Sequence, residues 1–221
     1  MDKISFSQAN MFQECPRKWA YKYIDQLPEP KSPAQEHGTH VHERIEDYLK
    51  TGNMLALDKF VYYAKNILAS LGLKKYGKDY QVEEWLQDDQ VRGKVDVIGH
   101  YADQKIIVDW KTKKKPAKFM NPKTISQLHL YGCLADAKDG DLLVECYPEQ
   151  AKTYEIAYVS DMGKREYDRL IGIKFNAEMV VLNCDSADDV KATPGEFECT
   201  FCPFLKHCDS SYEIMKKQLK R

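Results

Sequence analysis

Two stretches constrain this 221-residue chain more than any other: Gly93-Lys94-Val95-Asp96-Val97-Ile98 and, after a short turn, Ile106-Ile107-Val108-Asp109-Trp110-Lys111. Both alternate with the period of a strand, in which residues two apart face the same way. Asp109 and Lys111 therefore share one face, while Val108 and Trp110 take the other. A turn around Ala102-Asp103 sets Asp96 and Asp109 at equal distances from it and roughly opposite each other, with Cβ atoms about 5 Å apart. An arbitrary D-x-K is usually a solvated strand face with weak ion pairs. Here the matching second carboxylate and the apolar reverse face, which must be buried under another layer, set the pattern apart.

The chemistry of that pattern is specific. Two hard oxygen donors at this separation suit magnesium or manganese, which keep open positions for water and phosphate oxygens. Such a metal makes a water nucleophilic, and Lys111 is placed to orient that water or neutralise developing charge. Phosphodiester hydrolysis is the reaction these parts fit.

The rest of the chain supplies helices before and after these strands. Ser5 with Gln8 forms a capping box, and two short helices run to Tyr23 with a break at Cys15-Pro16. A proline-marked loop at Pro28, Pro30 and Pro33 precedes a helix over 34–50 that carries Val41, Ile45, Tyr48 and Leu49 on one stripe and ends at Gly52. A further helix is expected over 55–71, stopped by Gly72. Strands follow at 80–86, 91–101 and 105–111, a helix at 124–137, a hairpin at 141–147 and 152–159, and an amphipathic helix at 161–182 with Tyr167, Ile171, Phe175 and Met179 four apart. The tail from Cys184 shows no period until a short basic helix at the end. This order predicts an α/β fold with a mixed central sheet flanked by helices, a helical N-terminal region and a Cys-rich C-terminal tail. We expect a single domain over 1–221, organised as a helical region (1–75), the core (76–183) and the tail (184–221).

Composition bounds the partners. Hydrophobic residues make up 43% and charged residues 30%, with 33 basic against 34 acidic side chains, so attraction to a polyanion must come from local patches. No apolar run approaches the length of a membrane span and no signal segment is visible, so a cytoplasmic protein without membrane contact is expected. Lys111, Lys113, Lys114, Lys115 and Lys118 form one such patch, placed to hold a phosphate backbone. Trp19, Tyr21, Tyr23 and Tyr131 are either base-stacking aromatics or core residues. No G-x-x-x-x-G-K-[ST] loop occurs, so any unwinding must come from a partner.

Seven cysteines are unusual for a reduced compartment, where clustered thiols more often bind metal than form disulfides. Cys199, Cys202 and Cys208 stand at spacings that suit a tetrahedral zinc or an iron-sulfur cluster. Either needs a fourth ligand, and for zinc His207 is the nearby candidate. Cys133, Cys146 and Cys184 match no motif and are taken as small apolar residues.

Taken in order, these motifs resemble the PD-(D/E)XK nucleases, in the branch similar to the nuclease domain of RecB. The resemblance runs from Ser5 to Cys208. It implies a restriction-endonuclease-like fold and a metal site built from Asp96, Asp109 and the backbone carbonyl of Trp110, with Lys111 assisting. The G-T-x-x-H of that branch is present as Gly38-Thr39-His40-Val41-His42, which implies His42 as a metal ligand. Its Q-x-x-x-Y is present as Gln127-Leu128-His129-Leu130-Tyr131, which implies that Gln127 and Tyr131, one helical turn apart, contact DNA or support Lys111. The chain is most similar to the CRISPR-associated exonucleases of spacer acquisition and to iron-sulfur helicase-nucleases, in which a lone Cys-Pro near the start joins three late cysteines. By that resemblance Cys15, Cys199, Cys202 and Cys208 hold a four-iron four-sulfur cluster. The implied activity is hydrolysis of single-stranded DNA from its ends, in a bacterial, archaeal or phage-infected cell, with a helicase, CRISPR-adaptation or recombination protein as partner. A non-catalytic DNA-binding or adaptor module on the same fold is the alternative.

Overall fold

A computed structural model describes residues 2–52, 58–113, 115–116, 118–193 and 195–211. In chain order the elements are β1 (Ile4–Ser5), α1 (Phe6–Glu14), α2 (Pro16–Tyr23), α3 (Pro33–Thr51), α4 (Lys59–Ser70), β2 (Tyr80–Gln87), β3 (Val91–Tyr101), β4 (Gln104–Trp110), α5 (Pro122–Leu134), β5 (Leu142–Tyr147), β6 (Lys152–Ala157), α6 (Ser160–Asn183) and α7 (Glu196–Thr200). The chain divides into two compact units, one from Met1–Lys31 with Arg169–Arg221 and the other from Ser32–Asp168. No described helix is long and apolar enough to cross a membrane.

The helix boundaries follow local chemistry. Ser5 accepts from the Gln8 backbone N–H while the Gln8 side chain accepts from the Ser5 N–H, and Ser32 and Gln35 repeat this box at the start of α3. Cys15 is extended between α1 and α2, and Pro16 opens α2, where its missing N–H costs nothing. Gly52 closes α3 at φ 70°, a left-handed cap that glycine adopts without strain. Asn121 caps α5, which therefore begins earlier than the apolar spacing alone indicates.

In the Ser32–Asp168 unit, β2 through β6 form a mixed sheet in sequence order. β2, β3 and β4 pair antiparallel, β4 and β5 parallel, and β5 and β6 antiparallel. The parallel step requires a crossover, which α5 supplies. One face is covered by α3 and α4: Val41, Ile45, Leu49, Ala64 and Leu68 pack on Val82, Val97, Val108 and Trp110. On the other face Leu128 and Tyr131 of α5 pack on Val95, Ile107 and Leu143. The expected mixed sheet between helices is what the chain forms.

The other unit joins the two ends of the sequence. Phe12 meets Trp19 edge to face at 5.4 Å, and the Arg17 Nε–H donates to the Val190 carbonyl at 2.6 Å. The Tyr21 hydroxyl lies 2.7 Å from Asp188 Oδ1 and 2.9 Å from the His207 carbonyl. Trp19 and Tyr21 are thus core residues. One expectation fails on α6. Phe175 and Met179 are exposed, whereas Leu170, Ile173 and Ala177 are buried. A spacing of four advances about 40° per step on a 3.6-residue helix, so the stripe from Tyr167 winds away from the core. The short basic helix expected at the end of the tail, and the first turn of the helix expected over 55–71, lie outside the described residues.

Candidate active site

The β3–β4 hairpin turns at Ala102-Asp103, with Tyr101 paired to Gln104 and Val97 to Val108. The ladder ends at Val97↔Val108, with Asp96 and Asp109 next along their strands. Asp96 is held from two sides. Its Oδ2 accepts the Trp110 backbone N–H at 2.7 Å, and its Oδ1 lies 3.3 Å from Nδ1 of His42, which α3 brings to the sheet. Gly38, one turn earlier on α3, packs closely there: a Cβ would lie 3.2 Å from the Thr112 hydroxyl, just beyond β4.

Glu83 completes the arrangement and was not anticipated. It sits inside β2 at φ 57°, a left-handed conformation that costs a non-glycine residue about 1 kcal/mol or more. The ladder runs in one register from Val82↔Val97 to Glu84↔Val95, and Glu83 faces Asp96 in the gap. One ligand atom from each of His42, Glu83 and Asp96 lies within 4.8 Å of the others. No motif flags a glutamate beside another in a strand; the signal that existed was its equal distance with Asp96 from the β2–β3 turn.

Asp109 is buried at 5% exposure, with Lys111 Nζ 2.5 Å from its Oδ2. Burial raises the Asp109 pKa to about 6, against the lowering effect of Lys111 and with reinforcement from Asp96. Lys111 is pushed down by burial, but Asp109, with Asp96 and Glu145 behind it, more than compensates, so its pKa lies above the usual lysine value and the ammonium keeps its proton. His42 follows the same logic. Burial opposes its charged form, yet the hydrogen bond and charge of Asp96, with Asp109 and Glu83 behind, raise its pKa to about 9.

The supporting layer lies on α5. Gln127 Nε2 donates to the Tyr131 hydroxyl at 2.8 Å, so the two motif residues bond each other. Tyr131 is buried against Gly93, where a Cβ would come within 2.4 Å of its ring. Glu145, fully buried and paired with Asp109 across the parallel β4–β5 ladder, accepts from the Asn121 N–H at 3.2 Å and the Thr124 hydroxyl at 2.9 Å. A carboxylate thus anchors the N-terminus of α5, where the helix dipole favours it. Trp110 contributes its N–H here, and its ring lies in the core. Lys113 and Lys115 are exposed. Lys114 lies outside the described residues.

Carboxylate oxygens are the donors that magnesium and manganese take, and an imidazole nitrogen beside them is a common ligand of divalent transition metals, so the residues present fit a divalent metal. A second constellation occupies the unit that joins the chain ends, where Cys15, Cys199, Cys202 and Cys208 line one cavity. The Thr193 N–H points at Cys15 Sγ, 3.5 Å away. Burial raises the Cys202 thiol, and neighbouring Cys15 and Cys199 add to it while Phe204 and Lys18 oppose. Four thiols around one cavity also fit a metal group.

A mixed sheet carrying an acidic cluster and a D-x-K, with a histidine brought to it by α3, is the architecture of a nuclease, and sequence comparison agrees. The chain matches the PD-(D/E)XK nuclease superfamily over residues 3–90 and 78–209, and it belongs to that superfamily. No curated protein sequence matches it. Among solved structures it is similar to SSO0001, at 18% identity and a TM-score of 0.53, covering 95% of this chain and 87% of that one. It is also similar to a protein from Eubacterium rectale named "Putative exonuclease", at 13% identity and a TM-score of 0.54, covering 96% and 88%. At these identities the likeness is one of fold.

Proposed function

We propose that this nuclease is a magnesium- or manganese-dependent exonuclease that shortens single-stranded DNA from its ends. The observation that carries the reading is the convergence of His42, Glu83 and Asp96 beside the buried Asp109–Lys111 pair. His42, Glu83, Asp96 and Asp109, with the Trp110 carbonyl, would hold the metal. When bound, it supplies Lewis acidity and a water of lowered pKa.

The chain's own groups do the rest. Lys111 is held protonated by Asp109, which makes it a fixed positive charge for the developing phosphorane oxygens rather than a proton acceptor. The Trp110 N–H locks one Asp96 oxygen and leaves the other toward His42. Gln127 and Tyr131 buttress the hairpin under the site. Lys113 and Lys115, with Lys114, supply sequence-independent attraction to the backbone of the DNA.

For the cysteine cavity, a four-iron four-sulfur cluster on Cys15, Cys199, Cys202 and Cys208 is the favoured occupant. Tetrahedral zinc on three of these thiols with His207 is the alternative occupant. Brown protein with absorbance near 400 nm is the expected result, and a colourless zinc-containing preparation would reject the cluster.

The deciding assay is degradation of end-labelled linear single strands, linear duplexes and circles with magnesium or manganese. Shortening of linear single strands is expected, with kcat reduced by about a hundredfold or more in Lys111→Ala and Asp109→Ala. Intact DNA in every lane, with the protein folded and metal supplied, would leave only the adaptor reading.

A further inference from the structure

Trp85 stands apart among the three tryptophans of the chain: 56% of its surface is exposed, against 1% for Trp19 and 3% for Trp110. It lies on β2 two residues past Glu83, about 7 Å along the strand. Directly across the ladder is Lys94, whose Nζ reaches Glu83 Oε2 at 2.5 Å. On its other side the Arg92 guanidinium sits 5.9 Å from the indole centroid. These contacts place Glu83, Lys94, Trp85 and Arg92 on one continuous surface that begins at the His42–Glu83–Asp96 cluster.

We propose that Trp85, with Arg92 and Lys94, forms a subsite for the nucleotide next to the one at the acidic cluster. The base lies on the indole and the adjoining phosphates meet the two cations. The proposal rests on the nuclease reading given above. An aromatic ring offers every base the same π-face, so stacking is sequence-tolerant, and an arginine beside the ring can share the stack and neutralise a phosphate. Bases inside a duplex already stack on their neighbours, so a lone ring on an open strand surface selects an unpaired base. The subsite therefore supplies a physical cause for preferring single-stranded ends. An exposed indole next to two cations and an acidic metal-type cluster matches a nucleic-acid strand, whose phosphates can meet Arg92 and Lys94, better than an apolar protein partner, which offers neither cation a charge.

Because Trp19 and Trp110 are buried, quenching of tryptophan emission by added DNA reports on Trp85. The test titrates the full-length protein, with divalent metal omitted so that no strand is cut, with oligodeoxythymidylate and with an abasic strand of equal length. Thymidylate is expected to quench and the abasic strand to leave emission unchanged. In the cleavage assay Trp85→Ala should raise KM for single-stranded ends about fivefold or more with a smaller change in kcat, and Trp85→Phe should restore KM. Equal quenching by both strands, or an unchanged KM in Trp85→Ala, overturns the proposal. Should Trp85→Ala fail to fold, the comparison of the two strands on the wild type still decides. The two readings separate cleanly. Thymidylate-specific quenching without cleavage keeps the subsite and removes the nuclease, whereas Lys111-dependent cleavage with a silent Trp85 does the reverse.

Discussion

Glu83 is the residue whose placement is hardest to explain without function. A strand interior gains nothing from a left-handed glutamate, and relaxing it to ordinary β geometry would recover about 1 kcal/mol or more while swinging the carboxylate away from Asp96. Glu83→Gln, which keeps the shape of the side chain and removes its charge, is expected to weaken manganese binding about tenfold or more, read by calorimetric titration. A variant with unchanged metal affinity would remove Glu83 from the site. Protons give an independent check. His42 titrates near 9 and Asp109 near 6 in the metal-free protein, and both must be unprotonated to act as ligands. Apparent metal affinity should thus rise with pH from 6 to 9, with proton release visible as a dependence of binding heat on buffer ionisation enthalpy. The stability linkage has the opposite sign: the raised His42 pKa stabilises the metal-free fold fully below pH 6.5, and that contribution fades as pH climbs through 9. Metal-free His42→Gln should accordingly fall below wild type in melting temperature at pH 6 and converge with it at pH 10.

Elements set these residues in place, and α5 shows how. Its N-terminus is tied to the sheet by Glu145 through the Asn121 N–H and the Thr124 hydroxyl, and one turn later it presents Gln127 and Tyr131 beneath the hairpin. Glu145→Ala leaves those two donors without their acceptor in a buried position, a loss of about 1 to 3 kcal/mol. Glu145→Gln keeps a carbonyl oxygen and should lose less, a ranking that urea denaturation would establish; equal losses would mean that packing, not the hydrogen bonds, is what Glu145 supplies. The same helix marks how far sequence reading reaches. Gln127 and Tyr131 were visible as a spaced pair because a helical turn brings such residues together whatever lies outside. Asp96 and Asp109 were visible because a short hairpin fixes its own register. Glu145 was not, since it owes its role to a parallel neighbour across a crossover that local spacing does not reveal, and Glu83 was legible only through its register with Asp96 across the β2–β3 turn. The α6 stripe misled for the complementary reason: Phe175 and Met179 satisfy a helical spacing, but only the position of the core decides which stripe is buried.

At the scale of the molecule, the chain's first 31 residues and those from Arg169 onward form a unit of their own, with β2 through β6 and the acidic cluster contained in the span between them. Hydrogen bonds that Arg17 and Tyr21 donate to residues 188–209, and one that Asp25 accepts from the Ala187 N–H, hold the two ends together, alongside the cysteine cavity. A cluster on Cys15, Cys199, Cys202 and Cys208 would close a loop of nearly the whole sequence, which restricts the unfolded ensemble without touching the catalytic groups. Its loss should then act on one unit before the other. In Cys202→Ala, hydrogen exchange is expected to accelerate in α1, α2 and residues 187–209, while β3 and β4 stay near wild-type protection and Lys111-dependent cleavage persists at low temperature. The melting temperature of the variant should fall by several degrees, on the order of 2 to 4 °C for each kcal/mol lost in a chain of this size. Uniform acceleration through β3 and β4 would show that the cysteine group supports the whole fold. Unchanged exchange in α1 and α2, with iron retained, would show that Cys202 is not one of its ligands.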